Sequence, residues 1–188
     1  MDVSRIRALR GPNLWSRNTA IEAIVRCSAE ESDITRLPGF EARLHALFPA
    51  IGEHWPIDGG ALTLARVLEF AALALQAQAG CPVSYSRSTE TIESGTYQVV
   101  VEYSEEQVGH QALALAGELI AAARDGGAFD ATAAVAQLRE SDERLRLGPS
   151  TGSIVNAAVA RGIPYRRLTD GSLVQFGWGS KQRRIQAA

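Results

Sequence analysis

The sequence predicts an α/β chain of the α+β kind, with a small mixed β-sheet and helices packed mainly on one of its faces. Three observations carry this. Residues 96–103 alternate strictly, with Tyr97, Val99, Val101 and Tyr103 on one side and Gln98, Val100 and Glu102 on the other, the period of a strand. The Ala/Leu-rich run that follows Gly60 and reaches Gln78 has high helix propensity and meets a stop at Gly80. Ser104 with Gln107 three residues on, and Asp130 before an alanine-rich segment, are start signals for two further helices. The first of these runs to Asp125-Gly126-Gly127 and the second to Leu145.

The remaining elements follow in order. Residues 3–9 alternate imperfectly and end at the turn signal Gly11-Pro12-Asn13, which predicts a first strand. Residues 20–27 are β-branched at Ile21, Ile24 and Val25 and predict a second, closed by the polar run 28–35. Phe40, Leu44, Leu47 and Phe48 recur at three and four, so a short helix begins near Pro38 and stops before Pro49. Residues 56–60 read as a loop and 82–87 as a strand. Val100, apolar among polar neighbours, implies a partly covered outer sheet face. The character changes at Leu147-Gly148-Pro149, giving two parts, 1–146 and 147–188; the second holds a helix over 153–161 and β-like pieces at 165–168, 173–176 and 182–187.

At 188 residues the chain can bury roughly 70% of its unfolded surface, enough for a core without staples. Hydrophobic residues at 46% and charged ones at 21% exclude a disordered chain or a coiled coil. A formal charge of -2 with acids and bases interleaved provides no strong field to steer the chain to nucleic acid or a membrane. Cys27 and Cys81 lack C-x-x-C spacing and read as reduced thiols, and the charged N-terminus lacks an apolar export segment. Both point to the cytoplasm. The apolar stretch 62–79 is broken by Arg66, Glu69, Gln76 and Gln78 and reads as a buried helix rather than a membrane span.

No complete catalytic, metal or nucleotide site emerges from spacing. His45, His54 and His110 stand apart and form no zinc-binding pattern. Cys81 has no neighbouring histidine to activate it, and G-x-S-x-G is absent. Residues 148–152 lack the phosphate-loop lysine, so Ser150 or Thr151 reads as a helix cap. Arg87-Ser88-Thr89-Glu90 and Lys181-Gln182-Arg183-Arg184 are candidates to grip an acidic or zwitterionic peptide through forked guanidinium bonds, or form a solvated surface. Trp178 between Gly177 and Gly179 either stacks on a ligand arginine or anchors a hairpin.

Several segments together resemble one family. Leu9-Arg10-Gly11-Pro12-Asn13-x-Trp15, Leu37-Pro38-Gly39-Phe40, Glu53-His54 and the 96–103 strand are similar to the N-terminal domain of cyanophycin synthetases. Leu147-Gly148-Pro149-Ser150-Thr151, Arg161-Gly162-Ile163-Pro164 and the run from Leu173 to Ala187 resemble the entry into that family's ATP-grasp domain. The resemblance implies that 1–146 is the N-terminal domain and 147–188 a linker and the incomplete start of the ATP-grasp domain. It implies a parent ligase that uses ATP and Mg²⁺ to extend a nitrogen-storage polymer, multi-L-arginyl-poly-L-aspartate, with arginine and aspartate added by ATP-grasp and Mur-ligase-like domains. The implied partners are the polymer, those ligase domains and further copies in a homo-oligomer, with no nucleic acid or membrane; this chain itself carries no cofactor.

Many family members carry H-x-x-E-H on the long helix as a peptidase metal site. Here the stretch reads Arg66-Val67-Leu68-Glu69-Phe70, and neither Arg66 nor Phe70 can coordinate a divalent ion, so hydrolysis should be lost. Glu69 is expected to pair with Arg66 on the same helix face. The reading is therefore a non-catalytic module that holds polymer, with Arg87, Glu90, Glu102, Arg183 and Arg184 as contacts. Two alternatives stand beside it: a metal-dependent, primer-making hydrolase using His54, Glu69 and His110, and a purely structural or oligomerisation domain.

Overall fold

The computed structural model describes residues 1–10, 13–16, 18–55, 62–169 and 171–186, so the expected turn at Gly11-Pro12 and loop at 56–60 lie outside the described residues. A four-stranded sheet contains β1 (Asp2–Leu9), β2 (Ala20–Arg26), β3 (Ser86–Glu90) and β4 (Thr96–Glu102) in the order β1-β2-β4-β3. All three pairings are antiparallel, so the expectation of a mixed sheet is corrected. The reason lies in the connections. β3 and β4 form a hairpin, and the helical segment between β2 and β3 returns the chain outside β4 rather than alongside β2.

Helices α1 (Phe40–Leu47), α2 (Leu64–Gln78), α3 (Glu106–Asp125) and α4 (Ala131–Leu145) build the layer on one side. Their apolar faces and Ile21, Ala23, Val25, Val99 and Val101 of the sheet share one core. α2 lies at its centre, buried on nearly all sides, which explains why its sequence is apolar all round rather than along one stripe. Thr63 caps it by accepting from the Arg66 amide at 3.1 Å. α3 comes so close to the sheet at Gly109 that a Cβ there would stand 2.7 Å from Tyr103 Cβ and 2.8 Å from Ile21 Cγ1. On the outer face Val100 is fully buried, and Glu22 beneath it accepts from Arg7 and Gln98.

Three elements depart from the sequence reading. The strand expected at 82–87 runs instead from Ser86 to Glu90, because the Ser84 and Tyr85 amides are taken by the Glu102 carboxylate, both at 2.8 Å, rather than by a neighbouring strand. Ser104 does not cap α3: Glu105 holds the cap position without a side-chain bond, and Ser104 Oγ donates to Asp142 at 2.7 Å. The helix expected at 153–161 begins earlier as α5 (Pro149–Ala160), since Pro149 fits a first helical turn. Gly148 is its cap, and Ser150 and Thr151 lie inside the helix. α4 begins as read, with Asp130 accepting from the Ala133 amide at 2.9 Å.

A second antiparallel sheet, β5 (Tyr165–Arg167), β6 (Val174–Phe176) and β7 (Arg183–Ile185), follows α5. Among the described residues no helix is long and apolar enough to cross a membrane.

Candidate functional site

The α2 cap fixes where Arg66, Glu69 and Phe70 fall, and residues three and four apart share a helix face. Arg66 does not pair with Glu69 as expected. Its guanidinium lies over the Phe70 ring, 5.5 Å from the centroid. Trp55 meets Phe70 with ring centres 6.3 Å apart, and His45 meets Trp55 edge-on at 4.9 Å. A cation and three rings thus occupy this end of α2.

Glu69, only 4% exposed, turns to β3 and accepts from Ser86 Oγ at 2.9 Å. Burial pushes its carboxyl above the ordinary range, against the hydrogen bonds of Ser88 and Ser86 and the charges of Arg66 and Arg87. The arrangement does not fit a metal: the protonated guanidinium and the phenyl ring offer no lone pair, and the one carboxylate is engaged by hydroxyls. His54, at the end of the 3-10 turn Pro49–His54, His110 on α3 and Glu69 are not gathered either. Among the described residues no three His, Cys, Asp or Glu side chains come together to hold an ion. The two thiols are free, and burial raises both above the ordinary cysteine range.

The proposed peptide contacts are dispersed. Arg87 projects from β3 and lies over Trp15, 5.8 Å from its ring centroid. Glu90 closes the β3–β4 turn by accepting from the Gly95 amide at 2.9 Å. Glu102 is buried and accepts from Asn18 Nδ2 at 2.6 Å as well as from the Ser84 and Tyr85 amides, so its oxygens are committed inside the fold. Arg183 and Arg184 are exposed on β7, far along the chain from these. Trp178 sits in the connection between β6 and β7 and is 56% exposed, so it does not anchor that hairpin by burial.

Where α3 begins, α4 ends and β5 arrives, a groove of about 470 Å³ opens, lined in part by Glu102, Ser104, Glu105, Asp142, Arg146 and Tyr165. Arg167 reaches across from β5: it donates to the Leu145 carbonyl and, at 2.8 Å, to that of Gly171, and stands 3.7 Å from Glu105. Burial pushes the Glu105 carboxyl up to about 7; Arg167 opposes this and Asp142 adds to it. Sequence reading named Trp15 without its role against Arg87 and missed Glu105 and Asp142. Each acquires its role from a partner dozens of residues away, and nothing in local spacing announces such a pairing.

The family model of the cyanophycin synthase-like N-terminal domain matches residues 23–124, more than half of the chain. The chain belongs to this family. Cyanophycin synthetases of Trichormus variabilis and a Nostoc species are each 34% identical to it across its whole length, and that of Crocosphaera subtropica is 32% identical. The chain spans 22–23% of the length of these relatives. The family match runs from β2 through α3 and so includes Arg66, Glu69, Phe70, Arg87 and Glu102, while the junction groove lies partly beyond it.

Proposed function

We propose that this chain is a non-catalytic module of a cyanophycin synthetase, holding the growing multi-L-arginyl-poly-L-aspartate chain near ligase domains that add aspartate and arginine at the expense of ATP. Residues 1–146 form the holding domain in this reading, and 147–188 lead into an ATP-grasp domain. The ATP and Mg²⁺ of such an enzyme belong to its ligase part. The observation that carries the reading is the Arg66–Phe70 contact, which fills with a cation and a ring the positions where the family resemblance puts imidazole ligands. A member of this family without those ligands can still hold polymer that it does not cut.

Holding needs little affinity. A tethered polymer end is present at millimolar effective concentration, so contacts worth a few hydrogen bonds are enough to keep it from diffusing away. Exposed Arg87, Arg183 and Arg184 supply cations for the polymer's carboxylates. Exposed Glu90, with one oxygen on the β3–β4 turn and the other turned outward, can meet the polymer's guanidinium groups, whereas Glu102 is withdrawn as a contact, since both its oxygens are buried against Asn18 and the 84–85 amides. Calorimetric titration of the chain with soluble polymer tests the proposal. Binding without release of shorter fragments is the expected result, and absence of binding at millimolar polymer overturns it.

A further inference from the structure

The register of the second sheet brings together residues that are scattered in sequence. Arg166 of β5 stands opposite Gln175 of β6, and Gln175 opposite Arg184 of β7. Residues directly opposite in an antiparallel sheet share a face, so these three side chains form one row across the strands. The neighbouring positions alternate to the other face, where Val174 is fully buried and Arg167 ties the sheet to Leu145. Arg183, adjacent to Arg184, therefore falls on that other face, and the two arginines of the pair are not equivalent.

The row is made of donors. Arg184 Nε donates to Gln175 Oε1 at 3.3 Å, which uses the one acceptor of the three side chains and leaves the guanidinium groups and the amide NH₂ facing outward. Among the described residues no carboxylate lies within ion-pair distance of Arg166 or Arg184, and Glu106, whose charge Arg166 feels, is held by Arg10 at 2.8 and 3.0 Å. Charge is also segregated along the chain. Residues 147–188 carry Arg161, Arg166, Arg167, Lys181, Arg183 and Arg184 against Asp170 alone, leaving thirteen bases and twenty acids to residues 1–146. The near-neutral total conceals a basic end and an acidic body, which corrects the expectation of evenly interleaved charge.

We propose that Arg166, Gln175 and Arg184 form a carboxylate-binding row that takes the acidic groups of an extended peptide chain. Strands about 4.8 Å apart put the two arginines about 10 Å apart at the backbone, and same-side groups of an extended peptide recur at about 7 Å, within reach of both forks. The acidic body favours a peptide over a nucleic acid: a ligand bearing guanidinium groups beside its carboxylates is not repelled by twenty acids, whereas a pure polyanion is. This inference deepens the polymer-holding reading and rests on it for the identity of the ligand.

The test measures binding of the whole chain to three probes: soluble polymer, a poly-L-aspartate peptide, and a single-stranded oligonucleotide of matched charge. The variants are R166A/R184A, R166K/R184K, and R161A/K181A, the last removing equal charge away from the row. Each is first checked for an unchanged urea midpoint. The expected result is that R166A/R184A weakens polymer and poly-L-aspartate binding by about a hundredfold, roughly tenfold for each forked contact, and that R166K/R184K falls between it and the parent. The pair off the row should change binding only several-fold. Equal loss in R161A/K181A overturns the row in favour of bulk charge. Oligonucleotide binding that is tighter than that of poly-L-aspartate and depends on the same arginines overturns the choice of carboxylate. Polymer binding indifferent to R166A/R184A overturns the row and leaves the holding function standing. Row-dependent binding of poly-L-aspartate with no binding of polymer does the reverse.

Discussion

The guanidinium of Arg66 rests over the ring of Phe70, one helical turn further along α2, with 5.5 Å between the guanidinium carbon and the ring centroid. The ring is the deeper partner, 9% exposed and in contact with Trp55, while the cation lies at the surface. Phe70→Ala should therefore cost about 3 kcal/mol or more, the range for truncating a core aromatic, and Arg66→Ala only about 0.5–1 kcal/mol, that of an exposed cation over a ring. Urea denaturation separates the two. Elemental analysis of protein dialysed against zinc completes the test: a bound stoichiometric equivalent contradicts the chemistry assigned to this face.

Glu105 makes stability depend on pH with a definite sign. Its carboxyl titrates at about 7 in the fold against an ordinary value of 4.5, burial being the main cause, then Arg167 in opposition and Asp142 in support. A raised carboxyl pKa means the fold favours the protonated form. The contribution is fully present below about pH 4.5 and is lost as pH rises through 7. Its ceiling is about 3 kcal/mol at 1.36 kcal/mol per unit. Glu105→Gln keeps the neutral shape, so the variant should gain on the parent progressively from pH 5 to pH 8 in urea midpoints; parallel curves for the two proteins would refute the assignment.

Much of the fold was legible because its signals are local. The alternation of β4, the Asp130 cap and the Gly126 stop are decided by residues within one turn or one strand of each other, and all three appear where the sequence put them. What failed depended on distant partners. Ser104 has the spacing of a cap, yet Asp142 on α4 offers its hydroxyl a shorter route to a buried acceptor. The 82–87 segment has strand composition, yet Glu102 takes the amides at its start and displaces the ladder to Ser86. The altered H-x-x-E-H face was visible residue by residue, but its filling by the Trp55 and His45 rings was not, because α1, which carries His45, and the end of the 3-10 turn, which carries Trp55, reach α2 only in three dimensions.

Glu102 distinguishes a structural acid from a ligand contact. Its carboxylate serves four donors, Asn18 Nδ2, the Ser84 and Tyr85 amides and the Ser84 hydroxyl. Glu102→Gln leaves a single, uncharged acceptor oxygen and turns an NH₂ toward donors, so the two amides that share one carboxylate oxygen lose a charged acceptor and the Asn18 bond is lost or reversed. The expected cost is about 1–3 kcal/mol in urea denaturation. Polymer affinity of the folded fraction should not change, because these oxygens are not available to a ligand. A loss of affinity without a loss of stability would return Glu102 to the binding surface.

The two glycines of α3 predict opposite responses to the same substitution. A methyl group at Gly109 would meet Tyr103 Cβ at 2.7 Å and Ile21 Cγ1 at 2.8 Å, whereas one at Gly117 meets nothing within 4 Å. Both positions are helical, so alanine gains the same backbone entropy at each, about 0.5–1 kcal/mol. At Gly117 that gain stands alone and the variant should be stabilised by this amount. At Gly109 the helix must move away from Ile21 of β2 and from Tyr103 just after the end of β4, and overpacking of about 1–3 kcal/mol exceeds the gain. Thermal denaturation of Gly109→Ala and Gly117→Ala should therefore shift the midpoint down and up respectively. Equal shifts would mean that α3 does not approach the sheet as closely as Gly109 requires, and with it the placement of Glu105 at the junction groove would fall.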